Sequence, residues 1–196
     1  MEIGKNFSCN NEGKRKKSDF YETPYSITRQ FLELEPPPLE WKILEPAAGS
    51  GAMTKVIKEF SSNVTEYKFE QGKDFLIENE KFDFIITNPP FSLAYEFIQK
   101  AKQVANHKFA LLLPLSYLHG KTRFDNVWSD KKFPLSHIYV FVRYPMLGNK
   151  LREDGKYKTG MMVYAWYVWD KSTTNKEPII KWIDNHKYVI GARNGQ

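Results

Sequence analysis

The segment Phe82–Thr87 (FDFIIT) is apolar at nearly every position, a pattern typical of a β-strand covered on both faces. Other apolar segments of strand length occur on both sides of it, and segments with helical spacing separate them. The further predicted strands are Trp41–Leu44, Val64–Phe69, Phe109–Leu115, Ile138–Val142 and Met161–Trp169, with a strand or turn around Ile179–Ile183.

Predicted helices alternate with these strands. Ile27, Phe31 and Leu32 have helical spacing, and prolines 36–38 end that helix because proline cannot continue it. Strands that alternate with helices predict an α/β fold with a mostly parallel sheet, to which the last two long strands add an antiparallel hairpin. The remaining predicted helices are Ala52–Phe60, Leu93–Val104 and a weaker one at Thr122–Lys131.

The connection between the second and third predicted strands is short. It consists of residues 70–81, and a crossover between parallel strands itself takes about 10–12 residues. A further strand–helix pair does not fit into this connection. The sequence therefore predicts a sheet that is trimmed on the side of its second strand.

Composition excludes several classes of protein. The 196 residues suffice for one domain, and a hydrophobic fraction of 41% supports a core. Cys9 is the single cysteine, so a disulfide framework is excluded, and the four scattered histidines predict no metal site. No apolar segment approaches the ~20 residues of a membrane helix, and residues 1–17 do not resemble a secretory signal. We expect a cytoplasmic protein that contacts neither metal nor membrane.

A glycine-rich turn, Glu45–Ala52 (EPAAGSGA), lies between the first strand and a helix. Gly49 and Gly51 allow a tight backbone turn and close approach of a ligand. Thr54 stands where a dinucleotide fingerprint would have its third glycine, and no Gly-Lys-Ser/Thr sequence closes a phosphate loop. Because the carboxylate of Glu45 would repel phosphate, the turn favours a ligand with a cation or an amino group.

A stiff corner, Asn88-Pro89-Pro90-Phe91, follows the strand Phe82–Thr87. The two prolines fix the backbone and remove two hydrogen-bond donors. The amide oxygen of Asn88 and a nearby carbonyl form a pair of acceptors that can hold both hydrogens of an exocyclic amine. The ring of Phe91 can stack on the base that carries this amine. An ordinary Asn-Pro turn is the alternative interpretation of the corner.

Together these motifs resemble the S-adenosylmethionine-dependent DNA adenine-N6 methyltransferases, most closely the small phage-type ones. EPAAGSGA is similar to the cofactor motif of that family, and TNPPFS is similar to its catalytic motif. DFYETP (residues 19–24) resembles the N-terminal motif that closes over the methionine end of the cofactor, and Asp74-Phe75 resembles the pocket for the cofactor adenine. The resemblance implies a Rossmann-like class I methyltransferase fold with S-adenosyl-L-methionine as cofactor.

The resemblance also implies roles for individual residues. The family usually ends its second strand with an acid that binds the cofactor ribose; here Lys68 is the best-aligned position, and Glu70 is the predicted acid. The implied catalytic residues are Asn88, Pro89, Pro90 and Phe91, and the implied cofactor-binding residues are Tyr21, Thr23, Pro24, Glu45, Pro46, Ala47, Gly49, Gly51, Glu70, Asp74 and Phe75.

The order of the motifs predicts the domain organisation. The cofactor motif precedes the catalytic one, the γ-like order, and the 39 residues from Gly49 to Asn88 leave no room for a recognition domain between them. We expect a flexible basic arm at residues 1–18, a methyltransferase domain at 19–171, and a short tail at 172–196 without a separate recognition domain. Contacts to duplex or single-stranded DNA are predicted for a basic loop containing Arg143, Tyr144, Lys150, Arg152, Lys156 and Lys158.

The predicted activity is transfer of a methyl group to the N6 amine of adenine in DNA. The net charge of +6, Phe91 at the fourth position of the corner, and the DFYETP motif favour DNA adenine. Cytosine N4, RNA adenine and a protein glutamine also present a planar amine, so the corner leaves these substrates as alternatives. A non-catalytic nucleic-acid-binding subunit with the same fold is the alternative from another class.

Overall fold

The computed structural model describes residues 22–68, 71–142 and 163–184. These residues form a seven-stranded sheet with helices packed on both of its faces. The helices are α1 (Tyr25–Leu34), α2 (Ala52–Phe60), α3 (Ala94–Val104) and the short α4 (Lys121–Arg123). The strands are β1 (Ile43–Glu45), β2 (Val64–Glu66), β3 (Phe82–Thr87), β4 (Ala105–Pro114), β5 (Leu135–Phe141), β6 (Tyr164–Asp170) and β7 (Ile179–Ile183).

The strand order is β2-β1-β3-β4-β6-β5-β7. Strands β2, β1, β3 and β4 are parallel neighbours, whereas β6 runs antiparallel to both β4 and β5. The predicted fold class is therefore confirmed: a Rossmann-like sheet that is mostly parallel and contains an antiparallel β5–β6 pair.

The sheet is short on the side of its second strand, as the sequence predicts. β2 has three residues and forms the edge of the described sheet. Between β2 and β3, the described residues 67–68 and 71–81 contain no further strand. β2 also ends at Glu66, three residues before the predicted end, which changes which side chains lie at the carboxyl end of this strand.

At the other end of the chain, the structure resolves one sequence-based expectation and corrects another. The strand or turn predicted around Ile179–Ile183 is the strand β7, which pairs in parallel with β5 and extends the sheet into the segment predicted as a short tail. The weak helix expected at Thr122–Lys131 consists of α4 followed by a π-helical turn, Phe124–Trp128.

The apolar core has two layers, one on each face of the sheet. Ile27 and Phe31 of α1 pack with Val56 of α2 on one face, whereas Phe97 and Ala101 of α3 pack on the other. The stacked rings of Phe31 and Trp166 lie 4.6 Å apart, and Trp166 Nε1 donates to the Ile27 carbonyl. α1 is thereby fixed against β6, so the segment that precedes α1 lies over the carboxyl ends of the central strands.

The order of the strands reverses between β1 and β3. The chain moves from β1 outward to β2 and then returns to the opposite side of β1 to form β3. In open α/β sheets, ligands bind outside the carboxyl ends of the strands at such a point. The glycine-rich turn follows β1 and the Asn-Pro-Pro-Phe corner follows β3, so the two motifs meet where a ligand is expected.

Candidate active site

The glycine-rich turn adopts a conformation that requires glycine at two positions. Gly49 and Gly51 have φ values of +49° and +79°, a region that L side chains rarely adopt. The Gly51 N–H donates to the Ala48 carbonyl at 2.7 Å, and the Ala48 N–H donates to the Tyr67 carbonyl at 3.1 Å. The turn is therefore tied to the segment after β2, and α2 starts directly behind it.

Glu45, the last residue of β1, is a buried carboxyl group beneath this turn. It is 2% exposed and accepts a hydrogen bond from the Thr54 hydroxyl of α2. Burial raises the pKa of Glu45 to about 7, an effect that the Thr54 hydrogen bond opposes in part and the nearby Glu66 carboxylate reinforces. A buried carboxyl group with one hydroxyl partner can bind a cationic amino group.

A second carboxylate, Glu66, ends β2 directly opposite Glu45 in the parallel register. Its side chain forms an ion pair with Lys68 at 2.8 Å, which is the main cause of its lowered pKa. A Cβ atom placed on Gly51 would lie 3.5 Å from Glu66 Oε2 and 4.0 Å from Lys68 Nζ. The Glu66–Lys68 pair therefore borders the glycine turn.

Asn88, at the carboxyl end of β3, contacts the segment that precedes α1. Its Nδ2 donates to Thr23 Oγ1 at 3.0 Å, and Thr23 is itself buried, at 6% exposure. Asn88 Oδ1 is buried and has no hydrogen-bond partner among the described residues. A buried acceptor without a partner is rare and calls for an explanation, such as a group that is absent from the structure.

The corner continues from Asn88 into a short helical turn. Pro89 is buried, and the Pro90 carbonyl accepts from the Leu93 N–H at 2.9 Å, which starts the turn that leads into α3. The half-buried ring of Phe91 lies 5.7 Å from the ring of Tyr164 on β6. The two prolines thus hold the Asn88 amide and the Phe91 ring in fixed positions within a segment of four residues.

Asp74 and Phe75 occupy a turn between β2 and β3. Asp74 Oδ1 accepts from the Leu76 N–H at 2.9 Å, so this carboxylate stabilises its own turn. Phe75 is 2% exposed and packs 5.0 Å from the ring of Phe97, which leaves little of its ring accessible to a ligand. Ala47 of the glycine-rich turn packs against the same apolar cluster as Phe75.

The structure brings most of the described candidate residues together. Thr23 contacts Asn88, and the neighbouring Glu22 accepts a hydrogen bond from the Ser50 hydroxyl at 2.9 Å. Pro24 is the N-cap residue of α1, and Pro46, which follows Glu45 at the start of the turn, is buried. The candidate residues outside the described part of the chain are Tyr21, Glu70, Arg143, Tyr144, Lys150, Arg152, Lys156 and Lys158, together with the predicted arm at residues 1–18.

Sequence reasoning missed three residues that border this site. Glu66 is the last residue of β2, just as Glu45 is the last residue of β1. The sequence predicts a longer second strand, and this places Lys68 and Glu70, rather than Glu66, at its carboxyl end. In the sequence, Thr54 indicates only that a third glycine is absent, whereas in the structure its hydroxyl donates to the Glu45 carboxyl group. Tyr164 reaches Phe91 through the pairing of β6 with β4, which no local pattern reveals.

The described residues contain no group of three or more His, Cys, Asp or Glu side chains that could hold a metal ion. Within the same residues, no helix is long and apolar enough to cross a membrane.

Comparison with known proteins identifies the fold. No protein-family model matches the sequence, and no curated protein is significantly similar to it. A type I restriction-modification methyltransferase subunit from Streptococcus thermophilus is 14% identical, with a TM-score of 0.55 over 85% of this chain and 47% of that one. The M protein of the type I restriction enzyme EcoKI is 12% identical, with a TM-score of 0.56 over 81% and 45%.

A third similar structure is the 23S rRNA methyltransferase ErmE, 16% identical, with a TM-score of 0.51 over 81% of this chain and 71% of that one. The chain spans about half the length of the type I subunits that it matches. At these identities the likeness concerns the fold. The chain thus has the Rossmann-like fold that these methyltransferases share.

Proposed function

We propose that this protein transfers a methyl group from S-adenosyl-L-methionine to the N6 amine of adenine in DNA. One observation carries the proposal: the buried amide oxygen of Asn88, which has no hydrogen-bond partner among the described residues, lies at the carboxyl end of β3, beside the strand that leads into the glycine-rich turn. An exocyclic amine supplies the donors that this oxygen lacks.

The residues of the glycine-rich turn fit the proposed cofactor. Glu45 would bind the amino group of its methionine part, since a buried carboxylate gains most from a cationic partner. Gly49 and Gly51 have no side chain, so a ligand can approach the backbone of the turn closely. Glu66 would accept hydrogen bonds from the ribose hydroxyls, a role that the sequence had given to Glu70, and Asp74 would contact the adenine ring.

The corner supplies the groups that position the amine. Asn88 Oδ1 and the Pro89 carbonyl would accept its two hydrogens, which directs the nitrogen lone pair away from both acceptors. When bound, S-adenosyl-L-methionine would supply a methyl group that its positively charged sulfur has already activated. The protein then needs to position the reactants rather than remove a proton beforehand, which agrees with a corner that contains no titratable side chain.

The rings of Phe91 and Tyr164 form the surface that is proposed to contact the target base. Their rings lie 5.7 Å apart at a tilt of 34°, and Phe91 is half-buried, so part of its ring can contact a base. A base inside a duplex cannot reach Asn88, so the target adenine would be flipped out or taken from a single strand.

DNA is the proposed acceptor because the chain is basic and because its motifs resemble those of DNA adenine methyltransferases. The net charge of +6 favours a polyanion. Two of the similar structures are methyltransferase or modification subunits of type I restriction systems.

Transfer of a labelled methyl group tests this function. The full chain and labelled S-adenosyl-L-methionine are incubated with duplex DNA, single-stranded DNA, RNA or a glutamine-containing protein, and digestion to nucleosides identifies the modified base. We expect label in N6-methyl-2′-deoxyadenosine from DNA. Label in N4-methylcytosine, in RNA or in protein alone would move the assignment to that acceptor, and cofactor binding without transfer would identify a non-catalytic binder.

A further inference from the structure

We propose that Thr23 is a positioning residue, whose hydroxyl holds the Asn88 amide in the orientation that presents Oδ1 to the target amine. The inference rests on the proposed function, in which Asn88 contacts that amine. It differs from the role that the sequence suggested for Thr23, which was contact with the cofactor.

The argument starts from the two orientations of an asparagine amide. Rotation by 180° exchanges Oδ1 and Nδ2, and only one orientation offers an acceptor to an amine. In the structure, Asn88 Nδ2 donates to Thr23 Oγ1 at 3.0 Å while Oδ1 has no partner among the described residues. Rotation would therefore place the NH₂ group where no acceptor is described, and a buried donor without an acceptor is unfavourable.

The position of Thr23 is itself fixed on both sides. Glu22 accepts from the Ser50 hydroxyl in the glycine-rich turn at 2.9 Å, and the Pro24 carbonyl accepts from the Ile27 N–H at 3.1 Å in the first turn of α1. Thr23 is 6% exposed between these anchors. A hydroxyl held this firmly can select one orientation of the neighbouring amide.

The chain offers a matched control. Thr28 in α1 is completely buried, and its hydroxyl has no partner among the described residues. Thr23→Val and Thr28→Val make the same chemical change in the same part of the chain, but only the first removes the described hydrogen bond to Asn88. Thr23→Ser retains a hydroxyl and should recover most of the activity.

The first experiment separates cofactor binding from turnover. For Thr23→Val we expect kcat to fall about 10- to 100-fold, the effect of one buried hydrogen bond, while the Kd for S-adenosyl-L-methionine stays within about twofold. Thr28→Val should leave both values unchanged. A loss of cofactor affinity with kcat retained would overturn the proposal and return Thr23 to the cofactor site.

The second experiment removes the choice of orientation. A carboxylate has two equivalent oxygens, so in an Asn88→Asp background the acceptor faces the amine in either orientation. Thr23→Val should then cost less than about threefold in kcat, because little is left for the hydroxyl to select. An equal loss in both backgrounds would indicate a general packing role and contradict the proposal.

A third measurement does not depend on activity. Nuclear magnetic resonance of ¹⁵N-labelled protein detects the Asn88 side-chain amide, identified by its absence from the Asn88→Asp spectrum. We expect its protons to exchange slowly with solvent in the wild type and in Thr23→Ser, and faster in Thr23→Val. Unchanged exchange in Thr23→Val would refute the contact. Absence of methyl transfer by the wild type to any acceptor would refute the proposed function, and the amide signals would still test the Thr23–Asn88 contact.

Discussion

Glu45 and Glu66 are register partners at the carboxyl ends of adjacent parallel strands, so two carboxyl groups flank the same glycine-rich turn. Their environments differ. Glu66 is paired with Lys68 and its pKa is lowered, whereas burial raises the pKa of Glu45 to about 7. At neutral pH the turn therefore has one permanent negative charge and one that depends on pH.

We expect Glu45→Gln to stabilise the protein at pH 8 but to change its stability little at pH 4. A folded-state pKa above the unfolded value means that the folded chain holds an extra proton between about pH 4.5 and 7, so the contribution of Glu45 to stability falls as pH rises through 7. The gain at pH 8 should be about 3 kcal/mol. Urea unfolding at both pH values measures it, and an equal change at both would contradict the raised pKa.

The affinity for S-adenosyl-L-methionine should rise with pH around neutrality. Glu45 must be ionised to pair with a cationic amino group, and its ionised fraction increases about tenfold between pH 6 and pH 8 for a pKa near 7. Calorimetry at the two pH values should show this difference in the wild type. Glu45→Gln should bind weakly at both, and a variant that keeps the full pH dependence would exclude Glu45 as its source.

Glu66→Ala should weaken cofactor binding about 10- to 100-fold, because a ribose hydroxyl then loses a charged acceptor. Glu70→Ala is the comparison, since the sequence had favoured Glu70 for this role. A Glu59→Ala variant serves as a control, because Glu59 lies on the surface of α2 in an ion pair with Arg29. If Glu70→Ala has the larger effect on the Kd, the ribose acid is Glu70.

Asn88→Ala should reduce kcat by about 100- to 1000-fold, the effect of removing one polar group that is positioned for the reaction. The Kd for S-adenosyl-L-methionine should change little, because the Asn88 amide binds Thr23 rather than the glycine-rich turn. Single-turnover transfer and calorimetry measure the two quantities. Parallel losses in both would indicate that Asn88 maintains the structure of the site as a whole.

Lys108→Met should destabilise the protein by about 2 kcal/mol without lowering kcat. Lys108 lies near the amino end of β4, whereas the candidate site lies at the carboxyl ends of the strands. It forms ion pairs with Glu35 at 2.8 Å and Asp170 at 3.4 Å. Burial alone would raise the pKa of Glu35, but its hydrogen bonds with Lys108 and Tyr139 lower it overall.

The cost of Lys108→Met should therefore shrink as pH falls below 4.5, where Glu35 becomes protonated in the unfolded and then the folded chain. Thermal unfolding at pH 4 and pH 7 measures the difference. A cost that does not change with pH would mean that lost packing of the lysine stem, and not the ion pair, is responsible.

The central sheet could be predicted because its strands have a strong local signal. Phe82–Thr87 is predicted and observed with the same bounds, since an apolar segment between polar residues can be buried in only a few ways. Ala52–Phe60 also agrees, because Gly51 at φ +79° marks the point where the helix begins. β4 begins four residues earlier than predicted, at polar residues whose strand conformation depends on pairing with β3 and β6.

The candidate site was predictable where its residues are neighbours in sequence, and less so where they meet only in space. The turn at Glu45–Gly51 and the corner at Asn88–Phe91 each form a local unit. The hydrogen bond between Thr23 and Asn88 joins residues 65 positions apart, and the Phe91–Tyr164 contact depends on the position of β6 in the sheet. Such contacts follow from topology, which spacing within a segment does not encode.

If Asn88 binds the target amine as proposed, its Oδ1, which has no partner among the described residues, also determines which bases the corner can accept. A base with a keto group at the corresponding position, such as thymine or hypoxanthine, would bring one lone pair against another, and neither side could donate. Sites built to bind a donor reject analogues that lack it far more strongly than they reject a change in size. Under the proposed function, the orientation of the Asn88 amide therefore sets the discrimination between amino and keto bases before any nucleic acid binds.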